Sequence, residues 1–306
     1  MNVTNRKALA RKCVRGLSIG DAFGESFFGR EAEMLNHIAQ RRIPATSWEF
    51  TDDTVMAIAV LEELECYGTV QSNRLAAAFA HKHELDVNRG YGATTRRILR
   101  AITAGEDWQE LARKVFSGMG SMGNGAAMRV GPIGAYYHDD FDRVRTLAIT
   151  SAQITHTHIE GICGAIAVAI AVAMASRLGL KGKAMEPSPF IQGVLDWLPD
   201  CDTRSRIAKS LHVPLHYHTE TLKRILGNGT QIQAVDTVPF ALWCAAHHLD
   251  NLEEALWKAV SVLGDRDTIG AIVGAIVTMS TPADRIPTTW LLAVEDFEQS
   301  VFRSPD

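Results

Sequence analysis

The sequence predicts an all-α fold organised as one domain over residues 1–306. Three observations carry that prediction. Apolar residues recur at helical spacing through most of the chain, short Val/Ile runs bounded by turn residues are scarce, and no polar Gly/Ser tract separates two halves. A chain of 306 residues that is 46% hydrophobic can bury one large core. No repeat of fixed period is present.

The elements follow in order. The N-terminus is basic, with Arg6, Lys7, Arg11, Lys12 and Arg15 and no acid before Asp21. No apolar core of about 7 to 15 residues follows, as a signal peptide would require. A transit peptide shares this composition, but its removal would cut into the ordered-looking segment that begins at Gly16, so a first helix is expected. Thr54 to Glu65 reads as a helix with Val55, Ile58, Ala59 and Leu61 on one face and acids on the other. Further helical pieces are Leu75 to Ala80, Thr94 to Ala104, Trp108 to Phe116, Val144 to Thr150, Gly161 to Ala175, Val238 to His247, Leu252 to Val262 and Thr268 to Thr278. Gly68, Gly90, Gly92, the Gly118 to Gly134 cluster and Lys181 to Pro189 read as loops. Lys181 to Val235, with Pro187, Pro189, Pro199 and Pro214, is the least regular stretch and reads as an excursion on the one domain. The Gly161–Ala175 run is shorter than the about 20 residues of a membrane span, so a core helix is expected. Gly16, Gly20 and Gly24 are spaced by four residues, as are Gly270 and Gly274. That spacing clears one helix face and lets two backbones approach. It fits helices crowded round a central site, and it fits ordinary small-residue packing equally well.

The net charge is -4, with 31 basic against 35 acidic residues, which argues against a nucleic-acid coat. Five cysteines (Cys13, Cys66, Cys163, Cys201 and Cys244) form no Cys-x-x-Cys pair. A disulfide framework or zinc–cysteine site is therefore not expected, and a reducing cytoplasm is. Neither a nucleic-acid nor a membrane partner is expected. A monomer is the starting assumption, although no sequence feature decides it.

Two acidic segments stand directly before apolar helices: Thr51-Asp52-Asp53-Thr54 and Asp265-Arg266-Asp267-Thr268. Taken singly, each reads as an N-cap with acids suited to the helix dipole. Taken together, they hold more hard oxygen donors than caps use. If the two helix starts meet, their carboxylates need neutralising, and an all-oxygen donor set selects Mg²⁺, Mn²⁺ or Ca²⁺. Ser117 to Gly134 is glycine-rich and can form a backbone nest for an anion such as a phosphate, or simply a mobile turn. It is neither a Walker loop nor a dinucleotide fingerprint. Asn124 adds an amide able to read a sugar hydroxyl, and Arg129 adds charge or stands at the surface. His156 and His158 would point apart at a helix start, and His212, His216 and His218 lack companions for a zinc site.

The segments GLSIGDAFGES, WEFTDDTVMA, GSMGNGAAMRVGPIG, THTHIEGICGA and GDRDTIGAIVGAI, in this order across residues 16 to 274, resemble the ADP-ribosylglycohydrolase family. The resemblance implies an all-α fold with a binuclear magnesium centre, two Mg²⁺ with Mn²⁺ as a substitute, at the bottom of a cleft. It implies hydrolysis of the glycosidic bond between ADP-ribose and an acceptor, so ADP-ribose or an ADP-ribosylated protein is the expected partner. Thr51, Asp52 and Asp53 would ligate one side of the metal pair, and Asp265, Asp267 and Thr268 the other, with Asp267 bridging. Ser121, Met122, Gly123, Asn124 and Gly125 would hold the diphosphate and the adenosine-side ribose, with His156 beside the phosphates.

Departures from the family pattern are specific. Met122 replaces an aromatic residue that some members carry. Phe28 stands where some members have a catalytic or gating Glu, which leaves Glu25 as a candidate for that role. Arg266 lies between the metal aspartates and should point away from them. Asp53 and Asp267 are the expected catalytic groups on the water side, and Glu25 is the outer candidate. A catalytically silent, crystallin-like or ADP-ribose-binding protein is the alternative, as is hydrolysis of free ADP-ribose derivatives.

Overall fold

The computed structural model describes residues 3–44 and 47–304. Among them there is no strand, only isolated bridges between Trp48 and Val294 and between Gly123 and Gln233. The chain begins with α1 (Val3–Glu25) and α2 (Glu31–Ala39). Next come α3 (Asp52–Tyr67), α4 (Ser72–Leu85), α5 (Ala93–Thr103) and α6 (Trp108–Lys114). They are followed by α7 (Gly131–Tyr136), α8 (Phe141–Gln153) and α9 (Ile159–Lys181). Three short helices, α10 (Pro187–Leu195), α11 (Asp202–Lys209) and α12 (Thr219–Leu226), precede α13 (Ala234–His247). The last are α14 (Leu252–Val260), α15 (Arg266–Ser280) and α16 (Thr288–Ala293).

The glycine spacing acts at the centre. A Cβ on Gly20 would lie 2.0 Å from the Gly270 carbonyl oxygen, and one on Gly24 would lie 2.1 Å from that of Arg266. A Cβ on Gly274 would lie 2.1 Å from the Gly16 oxygen. No side chain fits there, so α1 and α15 touch backbone to backbone. Residue numbers rise along one helix as they fall along the other, so the pair is antiparallel. The C-terminal end of α1 therefore meets the N-terminal end of α15, which places Asp21 and Glu25 near Asp267. The same device joins α7 to α9, where a Cβ on Gly134 would lie 2.1 Å from the Ala169 oxygen.

Behind α1, Phe23 and Phe27 pack with Trp48, Trp257 and Trp290 at ring-centroid distances from 4.9 to 5.8 Å. Glu295 N–H donates to the Trp48 carbonyl at 2.9 Å. This anchors the strand-like approach to α3, so the Thr51–Asp53 turn starts from a fixed point.

The all-α expectation holds, and several boundaries move. The helix read at Trp108 to Phe116 ends at Lys114, because Phe116 and Ser117 adopt left-handed backbone (φ 50° and 57°). The Lys181–Val235 stretch holds three short helices, α10, α11 and α12, joined by irregular connections; prolines at the start of α10 favour a helix there instead of breaking one. The glycine-rich stretch closes early, since α7 already starts at Gly131. α3 is not one-sided: Val55 to Leu61 are all buried, and so is Glu63, paired with Arg74 at 3.0 Å. The apolar run belongs to a helix of 23 residues, long and apolar enough to cross a membrane, yet 83% of its most apolar window is buried within the protein. Burial rather than length makes it a core helix.

Candidate active site

Three helix ends separated in sequence build the site. The first turn of α3 is held by a carboxylate from another helix. Asp21, fully buried on α1, accepts from Thr51 N–H (2.9 Å), Thr54 N–H (3.1 Å) and the Thr54 hydroxyl (2.6 Å). The Thr51 hydroxyl lies 2.9 Å from Asp21 Oδ1 and 3.1 Å from Asp53 Oδ2. As a cap, Thr51 makes only a long bond from Asp53 N–H at 3.4 Å, so the capping expectation is met mainly by Asp21. Asp52 N–H donates to the Arg89 carbonyl at 2.6 Å. Arg89 in turn is clamped to Glu295 at 2.7 and 3.1 Å and to the Phe50 carbonyl at 2.9 Å.

The start of α15 is held from a different direction. Leu263 and Gly264 turn through left-handed backbone (φ 57° and 73°). Asp265 N–H donates to the Asn228 carbonyl at 3.1 Å, and a Cβ on Gly229 would lie 2.4 Å from Asp265 Cβ. Asn124 Nδ2 bridges Asp265 Oδ2 (2.5 Å) and the Thr237 hydroxyl (2.9 Å). Its amide donors are thus engaged inside the protein, which leaves the amide oxygen as the part of the side chain able to meet a sugar hydroxyl.

Asp52, Asp53, Asp265, Asp267 and Thr268 line one cavity of about 510 Å³ together with Ser121, Met122, Gly123, Asn124, Gly125 and His156. The acidic turns and the glycine loop thus share a site. Thr51 lies behind the lining, occupied with Asp21 and Asp53. Glu25 is also outside the lining, at the end of α1, where partial burial and then the Asp267 charge raise its carboxyl while Arg266 lowers it. Arg266 turns away, as expected. Its Nη1 donates to the Phe27 carbonyl at 3.0 Å and its guanidinium carbon sits 4.2 Å from the Phe28 ring centroid.

The glycine loop is pinned from the other side of the chain. Ala234 N–H donates to the Met122 carbonyl at 2.9 Å, and Asn124 N–H donates to the Ile232 carbonyl at 3.3 Å. Gly123 N–H donates to the Ser121 hydroxyl at 3.1 Å. The N–H groups of Gly120, Gly123, Asn124 and Ala127 are used internally, which narrows the nest read from the sequence. Arg129 is not at the surface. It is buried, donating to the Ser151 carbonyl (2.7 Å), the Thr155 hydroxyl (2.9 Å) and the Gly125 carbonyl (3.3 Å).

The electrostatics are one-sided. Burial raises Asp52 and Asp53 well above the usual carboxylate range, and the neighbouring aspartates raise them further. Burial and Asp267 push Asp265 up to about 8. Asp21 rises to about 7 through burial and Asp267, although its four hydrogen bonds from Thr51 and Thr54 oppose the shift. Among the described residues, no Lys or Arg lines the cavity. His156 is its one basic side chain, and burial with the Arg129 charge lowers it to about 3, so it is neutral. Among the described residues, no three acidic, His or Cys side chains are close enough together to form a ready metal-ligand group. The donor set nevertheless fits a hard divalent cation. It is all oxygen, its carboxylates repel one another, and Asp53 Oδ1 is buried with no hydrogen-bond partner.

Several site residues escaped the sequence reading. Asp21 carried one signal, a single acid inside the small-residue face of an apolar helix. Gly90, Gly92 and Thr94 line the cavity, and Gly90 takes φ 90° beside Asp52. Phe116, Met119 and Ile232 form an exposed apolar rim, with Phe116 and Ile232 at positive φ. Gln231 and Gln233 line the cavity with no local signal in the sequence.

Comparisons with known proteins identify the family of the chain. The profile of the ADP-ribosylglycohydrolase family matches residues 2–303. The chain is 29% identical over 334 residues to the ADP-ribosylhydrolase ARH3 of Homo sapiens, covering 95% of this chain and 90% of that protein. It is 30% identical over 305 residues to an uncharacterized protein of Archaeoglobus fulgidus, covering 94% and 92% of the two chains. It is 23% identical over 301 residues to the ADP-ribosylarginine hydrolase Tri1 of Pseudomonas putida, covering 92% and 73%. A solved structure described as an ADP-ribosylglycohydrolase-related protein complex shares the fold, with a TM-score of 0.67, 23% identity, and coverage of 95% and 94%. With the family profile matched along nearly its whole length, the chain belongs to the ADP-ribosylglycohydrolase family.

Proposed function

We propose that the chain hydrolyses the glycosidic bond between ADP-ribose and an acceptor, with two Mg²⁺ ions held by the acidic turns. One observation carries the reading: four aspartates from two remote helix starts share a cavity with a glycine loop and a neutral histidine, and among the described residues no cationic side chain lines it. Such a lining repels a diphosphate unless bound cations offset the carboxylates. Asp52, Asp53, Asp265, Asp267 and Thr268 are the residues to hold those cations, with Thr51 supporting Asp53 from behind. When bound, the metal pair orients ribose hydroxyls and lowers the pKa of a coordinated water.

The protein's own groups do the rest. The glycine loop leaves room for the diphosphate to approach the backbone, and the apolar rim of Phe116, Met119 and Ile232 offers a flat base a surface to cover. In the reaction, the bond from the anomeric carbon to the acceptor breaks, and a water oxygen bonds to that carbon. The water's proton passes to a carboxylate, and the leaving group takes up a proton. Asp53 and Asp267, which line the cavity, are the groups placed to receive the water's proton; Glu25, outside the lining, is the less well placed candidate.

The test is release of ADP-ribose from arginine-linked and serine-linked peptides, with Mg²⁺ or with EDTA, alongside calorimetric titration of ADP-ribose. Release from at least one linkage that stops in EDTA is expected. Binding of ADP-ribose without release from any linkage would favour a binding protein, and neither binding nor release would remove the reading.

A further inference from the structure

We propose that Thr155 and Arg129 are positioning residues that lock His156 in the tautomer protonated on Nε2, so that the ring offers a neutral N–H donor to a phosphate oxygen of the ligand. The ligand half of this proposal rests on the ADP-ribose reading above, whereas the tautomer half does not.

The argument is a count of hydrogens. Thr155 Oγ1 is buried and has two partners, Arg129 Nη2 at 2.9 Å and His156 Nδ1 at 2.7 Å. A guanidinium only donates, so the hydroxyl accepts from Arg129. The hydroxyl's own hydrogen then has one acceptor in reach among the described residues, His156 Nδ1. Were Nδ1 protonated instead, that hydroxyl hydrogen would be buried with no acceptor, an arrangement folded proteins avoid. Nδ1 is therefore the acceptor, and the ring's proton sits on Nε2. Arg129 cannot easily swing away, since it also donates to the Ser151 and Gly125 carbonyls and lies 4.5 Å from the Phe79 ring centroid.

Nε2 has no protein partner among the described residues, and His156 lines the cavity. The ring edge faces glycines: a Cβ on Gly123 would lie 2.9 Å from Nε2, and one on Gly125 would lie 3.3 Å from Cε1. The two glycines thus keep the N–H edge open to the ligand. Neutrality has a use here. A neutral ring with its proton on Nε2 presents a donor to an incoming oxygen without placing a second charge next to the buried Arg129 guanidinium.

The ring state can be read directly by ¹⁵N NMR of histidine-labelled protein at neutral pH, with His156→Gln used to assign the signal. The free wild-type protein should show a protonated Nε2 and an unprotonated, hydrogen-bonded Nδ1. A ring protonated on Nδ1, a doubly protonated ring, or a rapidly exchanging tautomer mixture overturns the proposal. Thr155→Val should lose the hydrogen-bonded Nδ1 signature and weaken the Kd for ADP-ribose by about 3- to 10-fold, the size of one neutral hydrogen bond. Thr155→Ser should keep both the signature and the affinity. Loss of the signature in Thr155→Val with unchanged Kd would show that the tautomer does not serve the ligand, which overturns the positioning role. If Thr155→Val does not fold, the wild-type spectrum and Thr155→Ser still decide the matter. If the wild-type protein binds no ADP-ribose, the functional reading above fails, while the ring spectrum separately upholds or refutes the tautomer assignment.

Discussion

The acidic part of the cavity and its glycine-loop part are built on opposite principles. On the acidic side, one side chain holds a helix start: Asp21 accepts from the N–H groups and hydroxyls of Thr51 and Thr54, and backbone contact between α1 and α15 brings Asp267 alongside. The result crowds carboxyl groups that, among the described residues, no cationic side chain of the cavity offsets, and burial with mutual repulsion holds Asp265 and Asp21 protonated up to about 8 and about 7. On the loop side, backbone holds backbone. Residues 122 to 124 are pinned to residues 232 to 234, and the one titratable group, His156, is kept neutral. Asn124 links the two by bonding Asp265. Under the proposed function, the acidic side would draw its affinity from recruited cations, and the loop side from shape and uncharged dipoles.

Substitutions should separate the two sides, and the largest effect belongs on the acidic one. Asp52→Ala should abolish calorimetric Mg²⁺ binding and reduce ADP-ribose release by more than about 100-fold, beyond the loss typical of a supporting residue. A variant that turns over normally would break the contrast at its root. Asp21→Asn keeps the shape but weakens the carboxylate that holds Thr51 and Thr54. It should cost about 10- to 100-fold in kcat/KM or Mg²⁺ affinity, as for groups that orient metal ligands.

Gly20→Ala places a methyl against the Gly270 carbonyl. Urea denaturation should show a loss of about 1–3 kcal/mol, with activity falling too, because the same contact sets the Asp21–Asp267 register. An unchanged midpoint would mean that the two helices can part at little cost.

The pH dependence sharpens the comparison further. In the fold, Asp265 and Asp21 keep their protons up to about 8 and about 7, above their ordinary value of 3.8. Between the ordinary value and these raised ones, the unfolded chain binds fewer protons than the native protein, so stability falls as pH rises through that window. In EDTA the Tm should therefore drop on going from acidic to mildly alkaline pH. Added Mg²⁺ should restore it most at the alkaline end and release protons as it binds. A Tm in EDTA that rises steadily through the window would contradict the charge crowding.

The smallest effect is expected on the loop side. Phe116→Ala should weaken ADP-ribose binding by roughly the 0.5–1.5 kcal/mol of one aromatic contact, without altering Mg²⁺ binding. A loss matching that of Asp52→Ala would erase the distinction between the two sides.

How much was legible follows from where each signal resides. The acidic turns were visible because two carboxylates and a threonine in four residues exceed what a cap needs. The central helix contact was visible as a spacing, though not as an antiparallel pair. Asp21 was not recognised as a hub, since its partners lie 30 and 33 residues away. Arg129 fits a surface charge as well as a buried one by its local sequence, because nothing local announces a buried guanidinium. Gln231 to Gln233 could not be placed, since their role comes from pairing with a loop more than 100 residues earlier in the chain.

By itself, the sequence determined the helical class, the turns that carry oxygen donors, and the faces cleared by glycine. Those properties are local, set by residue period, cap chemistry and the absence of a Cβ. Only the tertiary structure decided that the acidic turns share a cavity, that one aspartate serves two segments, and that the cavity's histidine is neutral. Charge interaction and hydrogen bonding depend on distance and burial, and for residues far apart along a chain those are set by packing alone.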